Sequence, residues 1–397
     1  MTINHKFIAK KLTLILGFYY LTICIPALSQ SLMGDRVQKA NDWDQLFIRN
    51  DGWFGGDGIF GIPLDGKEFV PATEDTETLL TFGDTMIGSF TSDTLKRGDF
   101  TMIHNSVGLL KGKVPTEDKI EFHWKKDDDK HESIFSPNTP SVGPTEYYWL
   151  GDGFVNIDAD NTLYIFAYRI ANISGGVFPF QQVGVSLIAI PQGSTPPYKN
   201  HTQIETPFFV QTENNGSQTS FGGAIYVNTK SAGAPKPDGY IYVYAVKGID
   251  KQLLVTRVKP NDFTEFEKWR FWDGESWSED IKSAVAIAKN VSNEMSISPF
   301  PDGRILLTYQ YMGMQPEIAI QVGVSPIGPF LPMKKVWYTE EINEDLDFFT
   351  YNAKAYPHLS SPGSVLISYN INSFDFWNDI LYKPNLYRPR FIRLKLD

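Results

Sequence analysis

A tight turn leads directly into an apolar strand in the stretch Asp238-Gly239-Tyr240-Ile241-Tyr242-Val243-Tyr244. Asp-Gly pairs supply the positive φ angles that tight hairpin turns require, and β-branched and aromatic residues favour strands. The same combination recurs four more times, with turns that begin at Asp65, Asp160, Asp302 and Pro362. Intervals of roughly 60 to 95 residues between such hairpins indicate a repeat architecture of five strand-turn-strand units.

The rest of the chain supports an all-β fold. Short strands bounded by glycine, proline, asparagine and aspartate fill it, and helical periodicity is scarce. Five units fit a five-bladed β-propeller, in which blades of four strands surround a central channel. A two-sheet sandwich is the alternative, but its strands are spaced more evenly, at about 8–12 residues. We therefore expect a single propeller domain over residues 42–397.

The first 29 residues have the pattern of a secretory signal peptide. Three lysines precede a largely apolar run from Leu12 to Leu28, and small residues mark a cleavage site near Ser29. An uncleaved membrane anchor is the alternative, but Pro26 and the small residues lie where cleavage needs them. Since no other apolar run is long enough to span a bilayer, we expect an exported protein, either periplasmic, cell-surface or extracellular.

Composition narrows the possible partners and chemistry. The single cysteine, Cys24, lies inside the predicted leader, so the mature chain has no disulfide and no cysteine-based metal site or nucleophile. Removing three leader lysines changes the formal net charge from −10 to −13, since the leader has no acidic residue. Such a surface repels phosphate backbones, so nucleic acid is not an expected partner. An aromatic content of 14% suits both β structure and sugar binding.

Acidic residues recur at one position of the repeat. Eight residues before the turn lie Asp57, Asp152 and Glu294 in the first, second and fourth units. Gly223 takes the corresponding place in the third unit, and Lys354 takes it in the fifth. If these residues belong to the innermost strands of their blades, they face one mouth of the central channel.

A fourth acid is expected at the same mouth. Asp84 ends the second strand of the first unit, and an antiparallel hairpin brings that end next to Asp57. Carboxylates packed together in a partly dry site raise each other's pKa, so that one can act as an acid while another stays ionised. The alternative is structural, because aspartates between glycines often accept backbone N–H bonds and tie strands together.

Two other features of the sequence do not predict a cofactor site or a metal site. The stretch Gly56–Gly61 matches a dinucleotide-binding fingerprint, but Pro63 and a turn follow where that motif needs a helix. The histidines of the mature chain have no metal-ligand spacing. His358 lies just past Lys354, where it could contact a substrate or serve as a hydrogen-bonded structural residue.

Several segments together resemble a group of secreted propellers. These are the domain-of-unknown-function families numbered 4185 and 5005, whose relatives include the endo-D-arabinanases of glycoside hydrolase family 183. The resemblance spans nearly the whole mature chain, and its later segments favour the 5005 group. The segments are Trp53–Gly58, Leu64–Gly66, Leu80–Thr85, Asn105-Ser106, Tyr148–Gly153, Phe221–Ala224, Tyr351–Lys354, Ser368–Asn370 and Tyr387–Phe391.

The resemblance implies a five-bladed propeller that acts on furanosidic or related glycans, with Asp57 and Asp84 as the catalytic pair. Asp152 and Glu294 would then tune a pKa, supply an alternative acid or contact the substrate. An insertion, Glu68–Glu77, lengthens the connection between the two opening motifs. The predicted substrate-binding residues are Trp53, Asn105, Trp149, Arg169, Lys354 and His358.

The leading hypothesis is an exported glycoside hydrolase acting on a polysaccharide, possibly one that contains arabinofuranose, with no cofactor. The alternative hypothesis is a non-catalytic glycan-binding propeller at the cell surface. Convergence of the four acids at one channel mouth is the geometric expectation on which the site assignment depends, whereas the five-bladed fold does not depend on it.

Overall fold

The structure is a computed structural model that describes residues 36–91, 94–128, 130–175, 179–211 and 217–396. The predicted signal peptide lies outside the described residues. Antiparallel strands dominate the described chain, so the predicted all-β class is confirmed. No helix in the described ranges is both long and apolar enough to cross a membrane.

The described residues of the first part of the chain form ten strands and one short helix. They are β1 (Val37–Lys39), α1 (Asn41–Leu46), β2 (Asp51–Gly56), β3 (Phe60–Pro63), β4 (Glu77–Phe82), β5 (Thr85–Ser89), β6 (Phe100–Ile103), β7 (Ser106–Lys111), β8 (Ile120–His123), β9 (Lys125–Asp127) and β10 (Lys130–Glu132).

The middle of the chain contains ten further strands. They are β11 (Glu146–Val155), β12 (Leu163–Asn172), β13 (Phe180–Ile190), β14 (Thr202–Glu205), β15 (Phe209–Gln211), β16 (Gln218–Asn228), β17 (Tyr240–Lys247), β18 (Gln252–Val258), β19 (Arg270–Trp272) and β20 (Trp277–Ser278).

The remaining elements are β21 (Met295–Pro299), β22 (Ile305–Gln310), β23 (Glu317–Gly323), β24 (Lys334–Tyr338), β25 (Phe348–Ala355), β26 (Ser364–Ser373), α2 (Phe376–Tyr382) and β27 (Pro389–Lys395). Short 3₁₀ turns lie at Glu117–Lys119, Pro260–Asp262, Phe266–Lys268, Ile281–Ser283 and Glu340–Asn343.

Five of the sheets have four or more strands, and we number them I to V along the chain. Sheet I is β3-β4-β7-β8, sheet II is β11-β12-β13-β14, and sheet III is β15-β16-β17-β18-β19-β20. Sheet IV is β21-β22-β23-β24, and sheet V is β25-β26-β27-β1. The strands β2, β5 and β6 form a smaller sheet that continues the first three strands of sheet I, and β9 pairs with β10.

The repeated turns have the predicted geometry. Their second residues all have positive φ, at Gly66, Asn161, Gly239, Gly303 and Gly363. In the four turns that begin with aspartate, the carboxylate accepts a hydrogen bond from the backbone N–H two residues later, at 3.0–3.1 Å. This turn leads directly into β12, β17, β22 and β26 and fixes the start of each in the same way, whereas in sheet I an insertion separates the turn from β4.

The buried apolar side chains of the described residues form five clusters, and each cluster lies between two sheets. Four of them join sheets I and II, II and III, III and IV, and IV and V. The fifth joins sheet V back to sheet I, and it also contains Trp43 and Phe47 at helix α1. Each sheet therefore shares a buried apolar cluster with the next, and sheet V shares one with sheet I; we refer to this succession of five sheets as the ring.

One strand in each of sheets II, III and V, namely β11, β16 and β25, contains a bulge. Their register shifts lie between Leu150 and Gly153, between Phe221 and Ala224, and between Tyr351 and Lys354. In this alignment Ala353 corresponds to Asp152, and Lys354 lies one residue further along its strand. The eight-residue count placed Lys354 wrongly because the connections between first and second strands differ in length.

Candidate functional site

A cavity of about 1150 Å³ is lined by residues from every sheet of the ring. Asp57 lies where sheet I meets its extension, Trp149 comes from sheet II and Ser220 from sheet III. Glu294 lies directly before the first strand of sheet IV, and Tyr351 is in the first strand of sheet V. Of the four predicted acids, Asp57 and Glu294 line this cavity, whereas Asp84 and Asp152 are not among its described lining residues.

The carboxyl group of Asp57 is held in a fixed position on the cavity wall. The hydroxyl of Tyr351 donates a hydrogen bond to Asp57 Oδ2 at 2.7 Å, and the side chain of Tyr387 also hydrogen-bonds to Asp57. Asp57 Oδ1 lies against Gly83, where a Cβ atom would come within 2.6 Å of it. A side chain at position 83 would therefore displace the carboxyl group.

The environment of Asp57 favours its protonated form. Burial is the largest cause, the nearby Asp84 is the second, and together they raise the pKa of Asp57 to about 7. The hydrogen bonds from Tyr387 and Tyr351 act in the opposite direction, and Glu294 adds a smaller upward contribution to this pKa. A carboxyl group with such a pKa can give up or take a proton near neutral pH.

Asp84 receives two hydrogen bonds from ring nitrogens. Trp149 Nε1 donates to Asp84 Oδ1 at 3.0 Å, and His104 Nδ1 lies 2.8 Å from the same oxygen. The His104 ring in turn stacks on Tyr147, with 3.7 Å between ring centroids. Since a carboxylate only accepts, the His104 bond requires the tautomer or charge state with a proton on Nδ1.

The structure brings Asp57 and Asp84 together through their main chains. The N–H of Asp57 donates to the carbonyl of Asp84 at 3.3 Å, and the N–H of Gly83 donates to the carbonyl of Asp57 at 2.8 Å. These bonds bridge the gap between sheet I and its extension. The main chains of the two acids are therefore hydrogen-bonded to each other at the junctions of β2 with β3 and of β4 with β5, close enough for Asp84 to raise the pKa of Asp57.

Glu294 also lines the cavity, but a buried lysine neutralises its charge. Its Oε2 forms an ion pair with Lys354, whose side chain is 2% exposed and whose Nζ lies 4.2 Å from the centre of the Phe60 ring. A Cβ atom on Gly58 would lie 3.7 Å from Glu294 Oε1, so this acid is close to the Asp57 segment. Lys354 thus contacts an acid of the site and does not line the cavity itself.

Asp152 lies at the bulge of β11 and connects sheets II and III. Its Oδ1 accepts from the N–H of Gly153 at 2.9 Å, and its Oδ2 accepts from the N–H of Ile225 at 2.7 Å. Burial raises the pKa of Asp152 to about 7, although these hydrogen bonds and Lys354 oppose the increase. Both oxygens serve the backbone, which is the structural role considered above for aspartates between glycines.

Two residues predicted to bind substrate belong to the protein interior. Trp53 is 1% exposed and stacks on Phe122 with 4.4 Å between ring centroids. Asn105 is fully buried. Its Nδ2 donates to the carbonyls of Phe135 and Tyr148, and its Oδ1 accepts from the N–H of Phe135. Neither side chain lines the cavity, so these two assignments are corrected.

Arg169 and His358 are also placed away from the cavity. The Arg169 guanidinium donates to Glu146 at 2.7 and 3.1 Å and also bonds Ser141, so its donors are used within the sheet II region. His358 is 2% exposed and lies 3.1 Å from Thr78 Oγ1. Burial lowers the pKa of His358 to about 4, which keeps it neutral as a structural residue. Of the predicted binding residues, Trp149 alone lines the cavity.

Sequence reasoning did not assign roles to Tyr351, Tyr387 or His104. Tyr351 and Tyr387 reach Asp57 from the opposite end of the chain, so neither spacing nor a local motif relates them to it. His104 directly follows β6, and β6 pairs with β5, the strand that begins just after Asp84. This strand pairing was the one signal that could have placed His104 near Asp84. Within the described residues, no group of three or more His, Cys, Asp or Glu side chains could hold a metal ion.

Residues 40–396 match the family described as "Domain of unknown function (DUF5005)". The chain belongs to this family. No curated protein is significantly similar to it in sequence. This membership agrees with the resemblance in its later segments, whereas a relation to the 4185 group or to glycoside hydrolase family 183 stays a prediction.

Among solved structures, the chain is similar to a "putative hydrolase" from Bacteroides ovatus. The TM-score is 0.68 at 18% identity, over 90% of this chain and 89% of the other, which shows a common fold. An α-L-arabinofuranosidase from Podospora anserina, solved with cellotriose, gives a TM-score of 0.44 at 12% identity, over 87% of this chain and 97% of the other. That weaker likeness supports no statement about this chain.

Proposed function

We propose that this protein is an exported glycoside hydrolase, with Asp57 and Asp84 as its catalytic carboxyl groups. The observation that carries the proposal is Asp57 itself. Its carboxyl group has a pKa raised to about 7, lies beside a second carboxyl group and faces a cavity lined from all five sheets. Glycosidic bond cleavage requires one protonated carboxyl group at the leaving oxygen and one carboxylate as nucleophile or base.

The two acids have different partners, which supports different roles. Asp57, kept partly protonated by burial and by Asp84, would donate its proton to the leaving oxygen. Asp84, bonded by Trp149 and His104, would act as the carboxylate that attacks the sugar or activates water. Trp149 also lines the cavity, where its ring can stack on a sugar while its N–H orients Asp84.

The proposed scaffold is a five-bladed propeller within residues 42–397, closed by β1 from just before this range. Five sheets, five apolar clusters between neighbouring sheets, and the cluster that joins sheet V to sheet I support this blade count. The signal-peptide pattern of the leader supports export. A polysaccharide fits a cavity of about 1150 Å³ better than a monosaccharide would.

The test is the release of reducing ends from a panel of polysaccharides that includes arabinans. Wild type is compared with Asp57→Asn and Asp84→Asn, and with Asp127→Asn as the matched control, because Asp127 is exposed on β9. Loss of a catalytic carboxyl group is expected to lower kcat by about 100-fold or more. Undiminished hydrolysis by both site variants would rule out the pair.

Binding without hydrolysis would favour the non-catalytic glycan-binding alternative. In that case, replacing Trp149 by alanine would weaken binding more than Asp57→Asn. Following the anomeric configuration of the first product by NMR would separate retention from inversion, which depend on carboxyl separations of about 5–5.5 Å and about 6.5–9.5 Å respectively.

A further inference from the structure

Two lysines lie on the sheet III part of the cavity wall. Lys247 ends β17, and Lys251 lies in the turn that leads into β18. Both line the cavity that also contains Asp57. The proposed hydrolysis does not require either lysine.

The position of Lys251 is fixed by both its backbone and its side chain. Its φ is +47°, and its carbonyl accepts from the N–H of Val291 at 3.3 Å. Its Nζ donates to Asn293 Oδ1 at 2.7 Å, directly beside Glu294 in the chain. The turn of sheet III and the segment before sheet IV therefore hold this ammonium group together.

The charge of Lys251 has no anionic partner among the described residues. Burial is the one cause that lowers its pKa, and no carboxylate offsets it. Within the same ranges, neither Lys251 nor Lys247 forms an ion pair, although Asp250 lies between them in the chain and also lines the cavity. Lys354, in contrast, is paired with Glu294.

We infer that the cavity binds an anionic glycan, and that Lys251 and Lys247 bind its carboxylate or sulfate group. This inference rests on the proposed function for the glycan and adds the class of sugar, either a uronic acid or a sulfate ester. A partly buried cation without an anionic partner is costly, and an anionic ligand would reduce that cost. Hydrogen bonds between charged groups are also about twice as strong as neutral ones.

The overall charge opposes the approach of an anionic glycan, so its binding has to depend on local cations. The chain has a formal net charge of −10, so it repels anionic polysaccharides at a distance. An anionic substrate therefore needs local cations, and the described cavity wall places two of them on neighbouring parts of one hairpin. The Asp57 side of the cavity remains available for the scissile bond.

The test uses calorimetry with defined sugars and the full chain. The probes are trigalacturonate with its carboxyl-reduced counterpart, and a chondroitin sulfate tetrasaccharide with its desulfated counterpart. Binding is measured in the Asp57→Asn background, so that turnover does not disturb it. Lys251→Gln and Lys247→Gln are compared there with Lys130→Gln, which removes the same charge from an exposed position on β10.

We expect Lys251→Gln to weaken binding of the anionic sugar by about tenfold or more, and Lys247→Gln to weaken it less. Lys130→Gln should leave the affinity unchanged. The trigalacturonate and chondroitin sulfate probes distinguish a carboxylate from a sulfate ligand. Equal affinity for charged and uncharged counterparts, unchanged affinity in both site variants, or no binding of any anionic probe would overturn the inference.

The result is separable from the proposed function. Anionic binding without release of reducing ends by the wild type would leave this inference standing and remove the hydrolase. Release from neutral polysaccharides that Lys251→Gln and Lys247→Gln do not alter would leave the hydrolase standing and remove the inference.

Discussion

Replacing Tyr351 by phenylalanine should make Asp57 a weaker acid. The Tyr351 hydroxyl donates to Asp57 Oδ2 at 2.7 Å, and Asn372 Nδ2 lies 3.2 Å from the same hydroxyl and orients it. This bond stabilises the charged form of Asp57 and so lowers its pKa. The variant removes the bond and leaves the aromatic ring in place.

The size of the effect follows from two constants. A hydrogen bond to a charged group contributes about 1.5–3 kcal/mol, and one pKa unit corresponds to about 1.4 kcal/mol. The bond from Tyr387 remains in the variant, so we take the lower end of this range. The pKa of Asp57 should therefore rise by about one unit.

The assay is the pH dependence of kcat/KM. A general acid must be protonated, so activity falls as the pH rises through the pKa of Asp57, which is raised to about 7. In Tyr351→Phe this alkaline limb should move about one unit higher. Carbon-13 NMR titration of the Asp57 carboxyl group reports the same shift without any substrate.

The matched control is Tyr356→Phe. Tyr356 is more deeply buried than Tyr351 and donates to the carbonyl of Ile59 at 2.8 Å, but its hydroxyl forms no hydrogen bond with Asp57. This variant should leave the alkaline limb in place. A limb that stays fixed or moves to lower pH in Tyr351→Phe, while the protein remains folded, would refute the assignment of Asp57 as the acid.

Three further variants test the site and the interior. Gly83→Ala should lower kcat by about tenfold or more, because the new Cβ would lie 2.6 Å from Asp57 Oδ1, whereas Gly108→Ala, with no contact closer than 3.5 Å, should retain activity. The pKa of Asp152 is raised from 3.8 to about 7 in the folded protein, so the folded state holds this proton more tightly than the unfolded state does. The resulting stabilisation is complete below pH 3.8 and is lost as the pH rises towards about 7. Asp152→Asn should therefore show a smaller fall in thermal midpoint between pH 5 and pH 8 than wild type does, and an equal fall would contradict the shift. His358 acts in the opposite sense, since its pKa is lowered to about 4 and its contribution is lost as the pH falls below 6.5. His358→Gln should therefore lose less stability than wild type between pH 6.5 and pH 4, as followed by chemical denaturation.

The local parts of the fold could be predicted because they depend on neighbouring residues. The stretch Asp238–Tyr244 encodes its own turn and strand, and the structure contains both. Positive φ at the second turn residue recurs in all five units for the same reason. The meeting of Asp57 with Asp84 could likewise be derived, since an antiparallel hairpin relates them directly.

Side-chain direction and long-range contacts could not be derived in this way. Trp53 lies close to Asp57 in the chain, yet its ring packs into the interior, and no periodicity distinguishes these two directions. The connection between β25 and β26 is longer than that between β11 and β12, and a fixed count back from the turn therefore misplaced Lys354 by one residue. Tyr351 is 294 residues from Asp57 in the chain, so their contact exists only once the ring is closed.

The pairing of β1 with β27 means that sheet V can form only late in synthesis of the chain. Val37 pairs with Leu394, so sheet V combines a strand made early in synthesis with strands made last. A chain synthesised from its N-terminus cannot complete this sheet, nor the Tyr351 and Tyr387 contacts with Asp57, until nearly all of it is available. The site thus assembles as a late event, and a chain that ends before β25 would lack both tyrosine contacts with Asp57 even where sheets II, III and IV are intact.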